Sequence, residues 1–440
     1  MDRFLHFPPV EGAWKKTHNL QTIHEQEYLL GVRGLLVIET FLYVFLQTFV
    51  PATVPDTDSD GKTHGPLYQV ILRKTLAPIF WNENLLYASF IFLSARSIAI
   101  PFIRDPSRSR VAGAVFRRGI TLWFPVAVAL AIVKIAFSKS YLSYISQFKV
   151  KTSNTSITVP YFIPNAFAYF NSVFDLFWTT HNYEVQAGST AFPSQSLWIV
   201  TAIYQQSYTI YVTMIIIPYT RNKWRVQGSF FFIITAWWVQ SWAWFSITGL
   251  IFADMVMNMD FKAKAQRGMP IWKTSKRCPT WIPATIILFS GLLMQYVWTA
   301  WRPDLVNEEY KIHTGMYYTP GLNTEDDGRY PQARDDNYLF LFGFFLFLES
   351  SDILQYVFNN RLFTYLGRRS LSKFPLLLNP YRMLTLLTRF LSNSKHLDLR
   401  RRYQILHAPT LHEEYVLPRH SPGDADHLPH HDCSGSRSVL

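Results

Sequence analysis

Cysteine is almost absent: Cys278 and Cys433 are the only two in 440 residues, and neither has the spacing of a metal or redox motif. A disulfide framework is therefore excluded. Charge is scarce too, at 16% of residues, and the formal excess of +12 is spread over short loops between apolar blocks. A nucleic-acid partner needs a basic patch instead, so none is expected. The segment HEEY (412–415) lacks the second histidine of a zinc protease helix, and the tail histidines His427, His430 and His431 have no structured setting. No metal is expected. No repeat recurs at a fixed period. Met1 to Tyr28 lacks the short apolar core and small-residue cleavage site of a signal peptide, which leaves the first apolar block as the expected insertion signal.

What the chain has in abundance is apolar and aromatic surface, 49% and 17% of residues. It is gathered in blocks of about 20, the length that crosses ~30 Å of hydrocarbon. The expected fold is all-α: a polytopic transmembrane helix bundle with a cytosolic N-terminus. Its blocks are 29–51, 79–102, 118–138, 197–219, 228–258, 281–301 and 336–358. The block 228–258 is too long for one upright helix and reads as two short spans turning near Gln240 to Trp244, for a total of about eight. Lys and Arg then collect on one side, in 104–118, 220–225, 262–277 and 359–373, as positive loops do on the cytosolic face. The other side receives DTDSDG (56–61), the loop 139–196 and EDDGRYPQARDD (325–336), together with the glycosylation sequon at Asn154. Within the loop, PYFIPNAFAYFNSVFDLFWTT (160–180) reads as an aromatic helix lying on the membrane surface or as a substrate lid. Three regions follow: a cytosolic segment 1–28, the membrane domain 29–373, and a polar tail 374–440 expected to be disordered.

The first block, GVRGLLVIETFLYVFLQTFV (31–50), holds Arg33 and Glu39. At about 100° per residue, Arg33, Thr40 and Gln47 share one side, and Tyr43 and Glu39 widen the polar arc to about 120°. Lipid does not tolerate such an arc, because a central charge costs at least ~2.5–3.5 kcal/mol there. Two roles remain open. Glu39 pairs with a basic group such as Arg96 or Lys134 and ties the bundle together, or it lines a substrate path. Glu83, Asp254, and Glu349 with Asp352 as i, i+3 neighbours, are further interior candidates.

Five landmarks occur in order: Gly31-Val32-Arg33-Gly34, SFIFLSARSIAIPF (89–102), AVFRRGITLWFPV (114–126), SLWIVTAIYQQSY (196–208) and FTYLGRRSLSKF (363–374). Over roughly 29 to 373 the chain resembles the acyltransferase 3 family, particularly its fungal members. The resemblance implies transfer of an acyl group, often acetyl, from acyl-CoA to a hydroxyl of a sugar, sterol or small metabolite. It implies membrane lipids and a small hydroxylated acceptor as partners, and the endoplasmic reticulum or plasma membrane as location. Arg33, Arg117 and Arg118 are then the residues for the donor's phosphates. Topogenic charge at the start of a span is the other reading of Arg117 and Arg118. The family's histidine in the first span falls at Val44 and its fourth-span glutamate at Ile203, so the expected acid/base groups are missing. Glu39 and His181 are the remaining candidates for a base. The chain also leaves the family pattern after FTYLGRRSLS, as a truncated or altered end would. The alternatives to an enzyme are a non-catalytic carrier or binding protein for a lipid or hydrophobic metabolite, and a structural membrane subunit.

Overall fold

The structure is a computed structural model and describes residues 26–55, 65–104, 108–137, 139–152, 157–179, 186–270, 277–302 and 333–368. His181, the sequon at Asn154, the acidic loop 325–332 and the tail 374–440 lie outside these residues.

Long apolar runs with few breakers close their backbone hydrogen bonds within the segment, so the described chain is all-α. In order it forms α1 (Glu27–Phe49), α2 (Leu67–Thr75), α3 (Glu83–Arg104), α4 (Arg108–Ala136), α5 (Lys139–Thr152), α6 (Ala166–Trp178) and α7 (Trp198–Ile216). Then follow α8 (Asn222–Trp238), α9 (Ala243–Asn258), α10 (Phe261–Arg267), α11 (Trp281–Tyr296), α12 (Asp335–Ser350) and α13 (Asp352–Phe358), and residues 361–368 are helical again. Extended pairing among the described residues is confined to a two-residue antiparallel ladder, Met269 opposite Cys278 and Pro270 opposite Arg277.

Among the described residues, four helical stretches are long and apolar enough to cross a membrane: Glu27–Phe49, Ala77–Arg104, Val111–Ala136 and Trp281–Trp301. Asp335–Ser350 with Asp352–Phe358 makes a fifth if that pair, bent by 102°, is one span. This is fewer than the eight expected, for two physical reasons. The 228–258 block does divide, at Val239–Trp242, where Gln240 adopts a left-handed φ of 52°, but each resulting helix is short. The helix α7 has the length but carries Gln205, Gln206, Ser207 and several threonines, which dilute its apolar character.

The centre of the bundle is α3, packed on α1, α7, α9 and α12. Phe92 of α3 stacks on Phe345 of α12 with centroids 4.3 Å apart and meets Phe252 of α9 edge-on at 5.8 Å. Glycines allow close backbone approaches. A Cβ built at Gly31 or Gly34 would fall on the carbonyl oxygen of Phe358 or Phe363, so α1 touches the chain at 358–363 backbone to backbone. Gly343 likewise lies against Leu288, where α11 and α12 pack. Such contacts recover dispersion energy that a side chain in the way would forfeit. The outward faces are apolar as well: Phe116 is 79% exposed, and Ile120 and Phe124 continue the same row on α4.

Buried charge is answered within the bundle. Arg96 on α3 is 0% exposed and meets Glu349 of α12 at 2.5 Å, and the Tyr28 hydroxyl of α1 donates to Glu349 Oε2 at 2.8 Å. Arg225 of α8 donates from Nη1 to both oxygens of Asp254 on α9, at 2.7 and 2.9 Å. The expected neighbours Glu349 and Asp352 are separated, because the chain turns sharply at Ser351, whose side chain accepts from Leu354 N and starts α13. Glu349 turns inward to Arg96, whereas Asp352 turns outward to Lys262 at 2.5 Å.

Candidate functional site

The GVRG sequence explains how Arg33 is aimed. Gly31 and Gly34 press α1 against the chain at 358–363, and between them Arg33 sends its side chain to α3. There its Nη2 donates to the carbonyl of Leu93 at 3.2 Å and to the hydroxyl of Ser97. From α4, Arg118 reaches the same region: Nη2 donates to Ser94 Oγ at 2.6 Å and Nε to Ser207 Oγ of α7 at 2.9 Å. Ser94 and Ser97 are i, i+3 neighbours on α3 and so share a face. The hydroxyls of Ser97 and Ser207 donate to the carbonyls of Leu93 and Ile203 one turn back, both at 2.6 Å, which leaves their lone pairs for the guanidiniums.

Arg33 and Arg118 are each part-buried and close enough to act on one another electrostatically. Neither meets a carboxylate among the described residues; every partner is a hydroxyl or a carbonyl. Hydroxyls satisfy N–H groups but do not neutralise charge. Two neighbouring part-buried guanidiniums with no carboxylate partner among the described residues make a candidate anion site, and their planar donor forks suit phosphate. Tyr211 of α7, whose hydroxyl donates to Ala114 O at 3.3 Å, lies within electrostatic reach of Arg118.

Of the three arginines expected to act together, the structure joins Arg33 and Arg118 and sets Arg117 apart. Arg117 is exposed and bonds the carbonyl of Gly113 on its own helix at 3.0 Å. Glu39 lies at the edge of the inner face of α1, part-exposed, with no hydrogen bond or ion pair among the described residues. The two ties considered for it are not made: Arg96 is held by Glu349, and Lys134 lies over the ring of Tyr169 at 5.9 Å. Val44 is buried, and Ile203 is half-buried on α7.

One hydrogen-bonded pair of titratable groups escaped the reading of the sequence. Tyr43, beside Val44, donates its phenol to Glu83 Oε2 at 2.5 Å, joining α1 to the start of α3. The pair sits about 15 Å along α1 from Arg33 and about 80° around it. Both residues had been named as interior groups, but nothing in either segment announces their pairing across 40 positions. The serines were equally unmarked, apart from the i, i+3 spacing in SARS (94–97).

Compared with protein-family models, curated proteins and solved structures, the chain matches none.

Proposed function

We propose that the chain is an integral, multi-pass membrane protein that binds the phosphates of an acyl-CoA on Arg33 and Arg118 and transfers the acyl group to a hydroxylated acceptor, as an acyltransferase 3-like enzyme. The observation that carries this reading is the arginine pair itself, held among the described residues by Ser94, Ser97, Ser207 and the Leu93 carbonyl alone. The apolar outward faces support the membrane setting, since a continuous row such as Phe116, Ile120 and Phe124 has no use in water. A cytosolic N-terminus is supported by the cations on that side, where Arg368 meets Glu27 at 2.7 Å and Lys262 meets Asp352. With shorter spans counted, the arrangement accommodates the eight crossings.

In this reading the donor's phosphates lie on the arginines and its flexible arm runs along α1 toward Tyr43 and Glu83. The acceptor oxygen attacks the thioester carbonyl carbon, the C–O bond forms, and the C–S bond breaks. The hydroxyl proton passes to Glu83 and then to the departing thiolate, which leaves as free coenzyme A. Glu83 thus takes the role that Val44 and Ile203 cannot fill.

The test is release of coenzyme A thiol from acetyl-CoA by the purified protein, with sterol and sugar acceptors offered in turn. Acceptor-dependent release that is lost in Arg33→Ala, Arg118→Ala and in Glu83→Gln supports the enzyme. The absence of a partner for Glu39 among the described residues favours a second reading, a carrier that uses the arginine pair to hold an anionic amphiphile. Acetyl-CoA that binds without any release of thiol would select it.

A further inference from the structure

We propose that α6 is inserted into the hydrocarbon core of the bilayer, with the aromatic face formed by Phe167, Phe170, Phe174 and Trp178 covered by lipid hydrocarbon. The proposal replaces the helix lying on the membrane surface that the sequence suggests. It rests on the membrane reading of the chain and is independent of the arginine site.

Depth is the first argument. Phe174 stacks on Trp123 of α4 with centroids 6.4 Å apart, and the Tyr169 hydroxyl donates to Ala127 O at 2.7 Å. As α6 advances from Tyr169 to Phe174, its partners on α4 therefore retreat from Ala127 to Trp123. The helix runs antiparallel to α4, descending along it from the end that carries Lys134. Trp123 lies about 16 Å along α4 from Lys134 and about 8 Å from Arg118, with no charged residue between those two cations. A surface helix would touch α4 only near Lys134. On the other side Phe177 meets Tyr204 edge-on at 5.1 Å, about 9 Å along α7 from Trp198.

Chemistry is the second argument. Helices that lie in the interface carry Lys and Arg on the polar face. The helix α6, AFAYFNSVFDLFW, has neither. Its one charge, Asp175, is half-buried and turned to the chain around it, accepting from Ala187 N at 2.9 Å and from the Thr179 hydroxyl. Phe167 is 81% and Trp178 74% exposed, and the stripe they bound is interrupted only by the neutral Asn171. The exposed rings continue, through the Phe174–Trp123 stack, onto α4, whose outer row of Phe116, Ile120 and Phe124 faces the same hydrocarbon.

Backbone satisfaction is the third. Irregular chain at hydrocarbon depth persists only where protein answers its polar groups. The Thr179 carbonyl at the foot of α6 accepts from Gln186 Nε2 at 3.0 Å and is approached by Gln205 Nε2 at 3.5 Å, while Gln186 Oε1 accepts from Thr201 at 3.0 Å. The returning chain packs against α6 through Gly188, where a Cβ would collide with Leu176.

The experiment uses the full chain with Cys278→Ser and Cys433→Ser, reconstituted in phosphatidylcholine vesicles. Single cysteines replace Phe167, Phe170, Phe174 or Trp178, with Phe124→Cys on α4 as the reference for lipid. Spin-labelled samples are read by power saturation with oxygen and with a water-soluble nickel chelate. Insertion predicts that the oxygen-to-nickel ratio rises from Phe167→Cys to Phe174→Cys, reaching the value of Phe124→Cys. Four equal, nickel-accessible labels beside an oxygen-accessible Phe124→Cys would overturn the inference and leave the membrane reading intact. A nickel-accessible Phe124→Cys would overturn both. A Trp123→Cys, Phe174→Cys pair, linked by a short bismaleimide in folded protein, is the second reading, and failure to link overturns the docking on which the depth rests.

Discussion

Glu349→Ala leaves Arg96 charged, fully buried and almost alone. In the native protein, Arg96 Nη2 meets Glu349 at 2.5 Å and the Tyr28 hydroxyl at 3.3 Å, while Nε and Nη1 have no hydrogen-bond partner among the described residues and the ring of Phe345 lies 5.9 Å away. Glu349 is thus its one carboxylate among the described residues. Removing one partner of a buried ion pair costs about 3–5 kcal/mol. At about 1.4 kcal/mol per tenfold, that is two to nearly four orders of magnitude in the ratio of folded to unfolded protein. The loss falls at the upper end because Tyr28 also loses its acceptor. Arg96→Met with Glu349→Met removes both charges at similar volume and is expected to recover most of the stability. Denaturant titration in detergent, followed by tryptophan fluorescence, measures both. A Glu349→Ala protein as stable as the native one, or a double variant no better than the single, would refute the idea that the pair is a tie whose halves are costly apart.

Glu39→Gln is expected to leave the protein folded and equally stable or slightly more so, since no partner is lost and a charge is removed from the middle of α1; denaturant titration that shows a loss of several kcal/mol would restore the role of a structural tie. Gly34→Val should weaken the packing of α1 on the chain at 358–363 by about 1–3 kcal/mol, because the side chain meets the carbonyl of Phe363. Its signature is faster proteolysis within 361–368 while the Phe92 and Phe345 core stays intact. Asp254→Ala should be as damaging as Glu349→Ala in the same titration, whereas Asp352→Ala should change stability by less than about 1 kcal/mol, its pairing with Lys262 being solvent-exposed.

The positions of the long apolar helices were legible in the sequence because apolar runs report length directly, whereas the short polar helices α2, α5 and α10 were not. The division of 228–258 was legible as well, from a block too long for one span with Gln240 and Ser241 at its middle. Arg33 was legible as part of an inward polar arc, whereas Arg118 read equally as a donor-phosphate ligand or as topogenic charge beside Arg117. Their partners were not legible, since a serine on another helix leaves no periodic trace. The same limit applies to Arg96 and Glu349, and to Tyr28 and Glu349, which meet across 321 positions. Periodicity states which face a residue occupies but not what stands opposite. It also left the depth of α6 open: an exposed aromatic stripe follows from the spacing of Phe167, Phe170, Phe174 and Trp178, whereas its descent along α4 follows from Trp123.

The most direct measurement of the central claim is calorimetric titration of acetyl-CoA into the detergent-purified protein, native and with Arg33→Ala, Arg118→Ala. Arg117→Ala serves as the control, since that side chain lies apart from the pair. Saturable binding that is lost in the double variant and retained in Arg117→Ala is the predicted result. Binding that survives loss of Arg33 and Arg118, or no binding by well-folded native protein, would contradict the assignment of the pair to the acyl donor.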